Sequence, residues 1–313
     1  MQTHPDRPAW KTLLAFGIIY FVWGSTFIFI RIAVRELPAL LLAAMRFLPA
    51  GLVLYIWMIL HGERSPTGRQ WASATLLGLL IFVGDYGLLF WAEKTVPSGI
   101  AAVMMATIPA FMALSEIALL RTQKLTLRLA FALLVGIAGV AVLVSHSLNL
   151  GGAPINRTGA VALILASLSW SFASVLSRRM HLPSSKVMSA AAQMLAGGVL
   201  LTVIAAASGE FRHFHPAAVS GAAWFALVYL IVFGSLIGFT AYVWLLHHES
   251  PTKVGTYAYV NPVIAVLLGY FLGGEGLGLR TILGTLFVLV SVVVITTTSA
   301  KKPVAVLAAE DAG

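Results

Sequence analysis

Two ionisable side chains sit deep inside apolar runs: Arg46 in "LLLAAMRFLPAGLVLYI" and Asp85 in "LLIFVGDYGLLFWAEK". A carboxylate in such a place can bind an amine or carry a proton, and a guanidinium can attract the carboxylate of a solute. Touching each other, the two would instead form a salt bridge that locks their segments together. A charge at the centre of a membrane helix costs about 2.5–3.5 kcal/mol, and either a mutual pair or a water-filled cavity relieves it. Both readings stand at this level. Further polar groups recur in the oily runs: Trp23 with Ser25 and Thr26, Trp170 with Ser171 and Ser174, and Tyr257 and Asn261 beside Pro262. Indoles offer a flat wall with one donor, while the hydroxyls suit either a polar solute or helix packing. Pro109 and Pro262 fall about twelve residues into their segments, where proline removes a backbone hydrogen bond and kinks a helix. Paired kinks of this kind would open a central cavity.

Other chemistry is poorly supported. His247-His248-Glu249 and His213-Phe214-His215 lie at the edges of apolar runs and supply no four-ligand set, so neither a metal nor a cofactor is expected. There is no cysteine for disulfides or thiolate sites. No G-x-x-x-x-G-K-[ST] run occurs, so the chain itself has no phosphate loop for driving transport with ATP. Gly234-xxx-Gly238 and Gly269-xxx-Gly273 read as helix packing and no more.

The elements that must position these groups follow from composition. Of 313 residues, 59% are hydrophobic and only 10% charged, with a mean hydropathy of +0.94. A soluble domain runs near a quarter charged, so lipid is the expected solvent. The net charge of +9 does not mark a nucleic-acid binder, because its Lys and Arg lie in tufts between apolar runs. Spanning about 30 Å of hydrocarbon takes roughly 20 helical residues. Ten segments fit, near 12–34, 39–60, 71–92, 97–120, 129–146, 159–178, 187–208, 222–246, 252–272 and 280–298. With both termini cytoplasmic, thirteen Lys and Arg fall inside and six outside, as the positive-inside rule requires. Arg46 and Asp85 then lie at matching depth, each about seven residues, roughly 10 Å, from the outer ends of consecutive helices. Glu116 and Arg31 are near helix ends and are expected to snorkel to the interface.

The halves repeat. A shift of 147 lays Trp23 on Trp170 and Arg46 on Gln193; a shift of 153 lays Trp71 on Trp224, Trp91 on Trp244 and Pro109 on Pro262. Five spans per half is an odd number, so the second copy is expected upside down. Inverted repeats are a signature of secondary transporters that work by alternating access.

"FVWGSTFIFIRIAV" followed by "AAMRFLPAG", "WAEKTVPSGIAAVMMATIPAFMALSEIALL" and "AYVWLLHHESPTKVGTYAYVNPVIAVLLGYFLGGEGLG" resemble the EamA domain in two tandem copies. One departure is Arg121-Thr122 in the first copy against Gly274-Glu275 in the second. The resemblance is to the EamA family of the drug/metabolite transporter superfamily. It implies a ten-helix inner-membrane exporter of amino acids, other metabolites or drugs.

The expectation is thus an all-α polytopic membrane protein of ten transmembrane helices in two inverted five-helix repeats. Residues 12–150 form the first copy and 151–299 the second, with cytoplasmic tails 1–11 and 300–313. The expected activity is export of a small organic solute with proton exchange, in the lipid bilayer and without nucleic acid or cofactor. The expected cavity residues are Trp23, Thr26, Arg46, Asp85, Trp170, Ser174, Tyr257 and Asn261. A multidrug exporter of lipophilic cations is the rival within the class, with Arg46 arguing mildly against it by repulsion. A lipid-modifying intramembrane enzyme would need a clustered nucleophile, base or metal set, and a purely structural subunit would leave the repeat without a purpose.

Overall fold

The computed structural model describes residues 9–96, 101, 104–144, 157–273 and 279–297; the expected tails fall largely outside them, as does Gly274-Glu275. Ten helices are labelled in chain order: α1 (Ala9–Ala33), α2 (Ala39–Leu60), α3 (Gly68–Glu93), α4 (Ile108–Leu120), α5 (Leu127–Val144), α6 (Arg157–Arg179), α7 (Lys186–Ala207), α8 (Gly221–His248), α9 (Tyr257–Gly273) and α10 (Leu279–Thr297). No strand occurs among the described residues. Six helices, α1, α2, α3, α6, α7 and α8, are long and apolar enough to cross a membrane, while α4, α5 and α10 contain shorter apolar stretches. Side chains such as Leu13, Leu60, Leu134, Phe225 and Val293 project outward, as hydrocarbon contact demands.

Pairing follows the two halves. α2 lies along α7 and α5 along α10; α1 packs on α8 and α9, while α6 packs on α3 and α4. Exchanging each helix with the one five places later returns these same pairings. Lipid tails are as apolar as leucine, so these contacts depend on close packing rather than on exclusion of water. Small residues provide it: a methyl added at Gly51 would sit 2.6 Å from the Leu195 backbone nitrogen, and one at Gly198 would sit 2.7 Å from that of Leu48. The α5–α10 pair forms its own cluster, tied by Tyr259 OH donating to the Leu133 carbonyl at 3.0 Å and Ser291 Oγ to that of Ala132 at 2.7 Å.

Carboxylates join the halves at helix N-termini, where unpaired N–H groups favour negative charge. Glu36, between α1 and α2, accepts from Ser220 N at 2.6 Å and Ser220 Oγ at 2.8 Å at the start of α8. Glu210 accepts from Leu41 N at 2.8 Å in the first turn of α2. Glu116 accepts from Thr252 N at 3.2 Å and Thr252 Oγ1 at 2.7 Å, in the single turn Pro251–Val254, and also from Thr122 Oγ1 at 2.9 Å. Glu116 therefore does not snorkel: it is buried, because these donors replace the water it would otherwise seek.

The two Ser220 donors hold the exposed Glu36 carboxyl below its ordinary value. Its tie is accordingly complete at neutral pH and is lost as pH falls through that depressed value. Protection of the Ser220 amide from hydrogen exchange, measured against its intrinsic rate at each pH, should be high at pH 7, fall in acid, and be low already at pH 7 in Glu36→Ala. Gly198→Val should cost about 1–3 kcal/mol by forcing α7 off α2. A lowered unfolding temperature in detergent would register it, with the lipid-facing Leu60→Val near wild type.

Candidate functional site

The middle of α3 and the middle of α8 wind more widely than an α-helix. The π-helical stretches Leu79–Gly87 and Leu230–Phe239 overlap under the 153-residue shift. Such stretches recur at functional sites. The first carries Asp85 and Tyr86; the second carries Gly234, Ser235 and Gly238.

Asp85 and Tyr86 of the first stretch border a cavity of about 60 Å³. Trp23 and Thr26 of α1, Asp85 and Tyr86 of α3, and Trp170 of α6 line it, with Tyr257, Ala258, Asn261 and Pro262 from α9. Met105 and Ile108 complete the wall at the entry to α4. Three repeat-related pairs meet here: Trp23 with Trp170, Met105 with Ala258, and Ile108 with Asn261. The two indoles pack edge to face at 5.6 Å between centroids, and Trp23 meets Tyr257 at 4.8 Å. Tyr242 lies behind them, 5.1 Å from Trp23 and 4.9 Å from Trp170.

Asp85 is 2% exposed, and its Oδ1 has no hydrogen-bond partner. The same holds for Asn261 Oδ1 and Trp170 Nε1. Three orphaned polar atoms thus belong to residues that share one cavity, where a buried unpaired group is costly. Pro262 adds a fourth, since it has no N–H to offer the Ala258 carbonyl one turn earlier.

Arg46 is not part of this wall. Its Nε donates to Ser235 Oγ at 2.9 Å, and its guanidinium lies 4.6 Å from the Phe47 centroid and 5.0 Å from that of Tyr86. Its Nη2 occupies the space over Gly234, where an added methyl would come within 2.7 Å of it. Trp23 Nε1 donates to the Gly234 carbonyl at 3.0 Å, and Gly238 leaves room for the same indole edge. The Gly234-xxx-Gly238 spacing therefore seats two large side chains from the first half rather than a bare helix. No Arg46–Asp85 ion pair forms; among the described residues the pair within 4.0 Å is Lys253–Glu249, at 3.8 Å. The matched depth of the two charges did not make them partners, because Ser235 and two aromatic faces hold the guanidinium elsewhere.

The remaining expected residues divide. Ser174 is buried beside the cavity, donating to the Trp170 carbonyl at 2.6 Å and bonding Tyr242 OH at 2.5 Å, so it braces the aromatic cluster. Pro262 lies inside α9, as expected. Pro109 does not kink a continuous helix: it stands in the first turn of α4, after a break at Ala106–Thr107. Thr107 closes that break by donating N–H at 3.1 Å and Oγ1 at 2.6 Å to the Met104 carbonyl. Proline is readily tolerated there, because the first-turn N–H has no intrahelical acceptor. Tyr86, Tyr242 and Ser235 were not anticipated; the adjacency of Tyr86 to Asp85 was the available signal.

The sequence pattern described as the EamA-like transporter family matches the chain twice, over residues 10–145 and 157–297. The uncharacterized inner membrane transporter YedA of Escherichia coli K12 is 41% identical over 83% of this chain and 82% of its own. Protein PecM of Dickeya dadantii is 28% identical over 88% of each. A crystal structure of a protein 22% identical superposes with a TM-score of 0.74 over 93% of this chain and 98% of that one, which shows a shared fold.

Ser235→Ala should strand Arg46 Nε inside the bundle at a cost of about 1.5–3 kcal/mol. The change should lower the unfolding temperature in detergent, and Ser235→Thr, which retains an acceptor, should recover part of the loss.

Proposed function

The chain belongs to the EamA-like transporter family, and from that premise we propose a secondary-active inner-membrane transporter that exports small organic metabolites, amino acids or related compounds, by proton-coupled alternating access. Ten spans in two inverted five-helix repeats, with both termini cytoplasmic, are part of this reading. The single observation that carries it is the cavity with its orphaned polar atoms, lined by residues related through the repeat. Polar atoms left without partners inside a bundle mark a place where something else supplies the partner. The double family match and the exchange of helix contacts between halves support the repeat, and the excess of Lys and Arg in the assigned cytoplasmic loops supports the orientation.

Alternating access requires the halves to part at one end while they stay joined at the other. The carboxylate ties suit that requirement. Glu36–Ser220 and Glu210–Leu41 close one end, and Glu116–Thr252 closes the other. Each tie replaces water on a carboxylate that can regain its hydration when the end opens, so breaking one is not prohibitive. At about 60 Å³ the cavity has room for a few waters rather than a full metabolite, so loading needs the helices to move.

Asp85 is the proposed coupling group. Among the described residues it is the only acidic side chain lining the cavity, and the titratable or charged groups around it are Tyr86, Tyr242 and Tyr257, with Arg46 against the Tyr86 ring. A carboxyl with no fixed cation can alternate between a proton and a solute. Enzymatic chemistry on a lipid receives less support, since the cavity gathers one carboxylate and no second acid, base or nucleophile set.

Counterflow of a panel of amino acids and related amines in proteoliposomes, with and without a pH gradient, tests the proposal. Active solutes should respond to the gradient, and Asp85→Asn should cut counterflow at least about tenfold and abolish the pH response. Unchanged transport and pH dependence in that variant would remove Asp85 from the mechanism.

A further inference from the structure

The cavity's polar inventory is lopsided. Asp85 Oδ1 and Asn261 Oδ1 are acceptors without a donor, and Pro262 has no N–H to give the Ala258 carbonyl, whereas Trp170 Nε1 is the one orphaned side-chain donor among the described residues that line it. The hydroxyls of Tyr86 and Tyr257 can serve in either sense. The nearby cation does not line the cavity: Arg46 Nε is bonded to Ser235 and Nη2 is seated over Gly234, while Nη1 is buried without a partner. A solute carboxylate would therefore enter beside the Asp85 carboxylate with no cation to meet it, and buried like charges exclude one another. A solute ammonium would find a carboxylate and further oxygen acceptors. Around these stand the faces and edges of Trp23, Tyr86, Trp170 and Tyr257, and aromatic walls attract cations.

Resting on the reading of this cavity as the transport site, we propose that its solute is a small organic monocation: a primary amine carrying a short apolar group and no free carboxylate. The three N–H groups of a primary ammonium match in number the three acceptors of Asp85, Asn261 and Ala258. The small volume favours a short apolar group over a large planar one. Arg46, expected from sequence to attract a solute carboxylate or repel a cation, does not line the cavity. It is a positioning residue, held against the Tyr86 ring and over Gly234.

Three probes that share one branched apolar group separate the possibilities: isobutylamine, valine, which adds a carboxylate, and isovalerate, which has the carboxylate alone. Binding of radiolabelled isobutylamine to the purified full chain in detergent is competed with each. Unlabelled isobutylamine should displace the label, valine should be at least about tenfold weaker, and isovalerate should not compete. Asp85→Asn should lose at least about tenfold in isobutylamine affinity while eluting as wild type. Valine competing as well as isobutylamine, or better, would overturn the amine class on the wild-type protein alone, with no variant required, and would leave the transport reading intact. No isobutylamine binding, with counterflow of some other solute, would overturn the amine class only. No binding together with flat counterflow for every solute would overturn both.

Discussion

Within hydrocarbon a polar atom has no water to turn to, and this constraint governs almost every feature of the bundle. The hydroxyls of Thr26, Ser171, Ser174 and Ser177 bond to carbonyls on their own helices or a neighbour. Glu36, Glu116 and Glu210 spend their charge on the bare N–H groups where helices begin. Five buried side-chain atoms among the described residues have no partner; Arg46 Nη1 and Thr240 Oγ1 lie apart, while those of Asp85, Asn261 and Trp170 belong to residues of one cavity. Their cost is tolerated where a solute, a proton or water can supply the missing bond.

Packing places the cavity. Small residues let α2 approach α7 at backbone distance, and the same economy of side chains continues in the π-helical stretch of α8. There Gly234 and Gly238 act as receptors for side chains rather than for a helix. One takes the Arg46 guanidinium and offers its carbonyl to Trp23; the other leaves room for the indole. A larger residue at 234 would press on Arg46 Nη2, which lies against Tyr86, and so reach the cavity wall through two contacts. Spacing that is common by accident in apolar helices here fixes which charge is presented to the interior and which is kept out.

Much of this was legible in the sequence. The all-helical character follows from apolar runs of about spanning length. Trp23 and Trp170, rare and matched in register, are indeed in edge-to-face contact. Asp85, Thr26, Tyr257 and Asn261 line one cavity with them, although their role there remains a proposal. What depth along a helix could not convey was azimuth. Arg46 and Asp85 were assigned the same level, but the partner of Arg46 is Ser235, 189 residues away in the other half, and no local pattern announces such a pairing. Glu116 misled for the same reason: its donors come from Thr252, across the repeat. Pro109 sits in an apolar run that looks unbroken, whereas Thr107 ends one turn and allows α4 to begin anew.

The repeat relates backbone and aromatic positions more closely than it relates charge. Asp85 corresponds to Gly238, Arg46 to Gln193 and Glu116 to Gly269, so the first copy carries the buried charges and the second carries neutral or absent side chains. This asymmetry has a physical rationale. A second carboxylate at 238 would stand where the Trp23 indole now lies, displacing an aromatic wall of the cavity. A second guanidinium at 193 would need its own acceptor in a helix pair that depends on small residues for its closeness. A duplicated fold can keep its symmetry of packing while one copy supplies the charge and the other the room for it. A cavity built that way presents one unpaired carboxylate among rings.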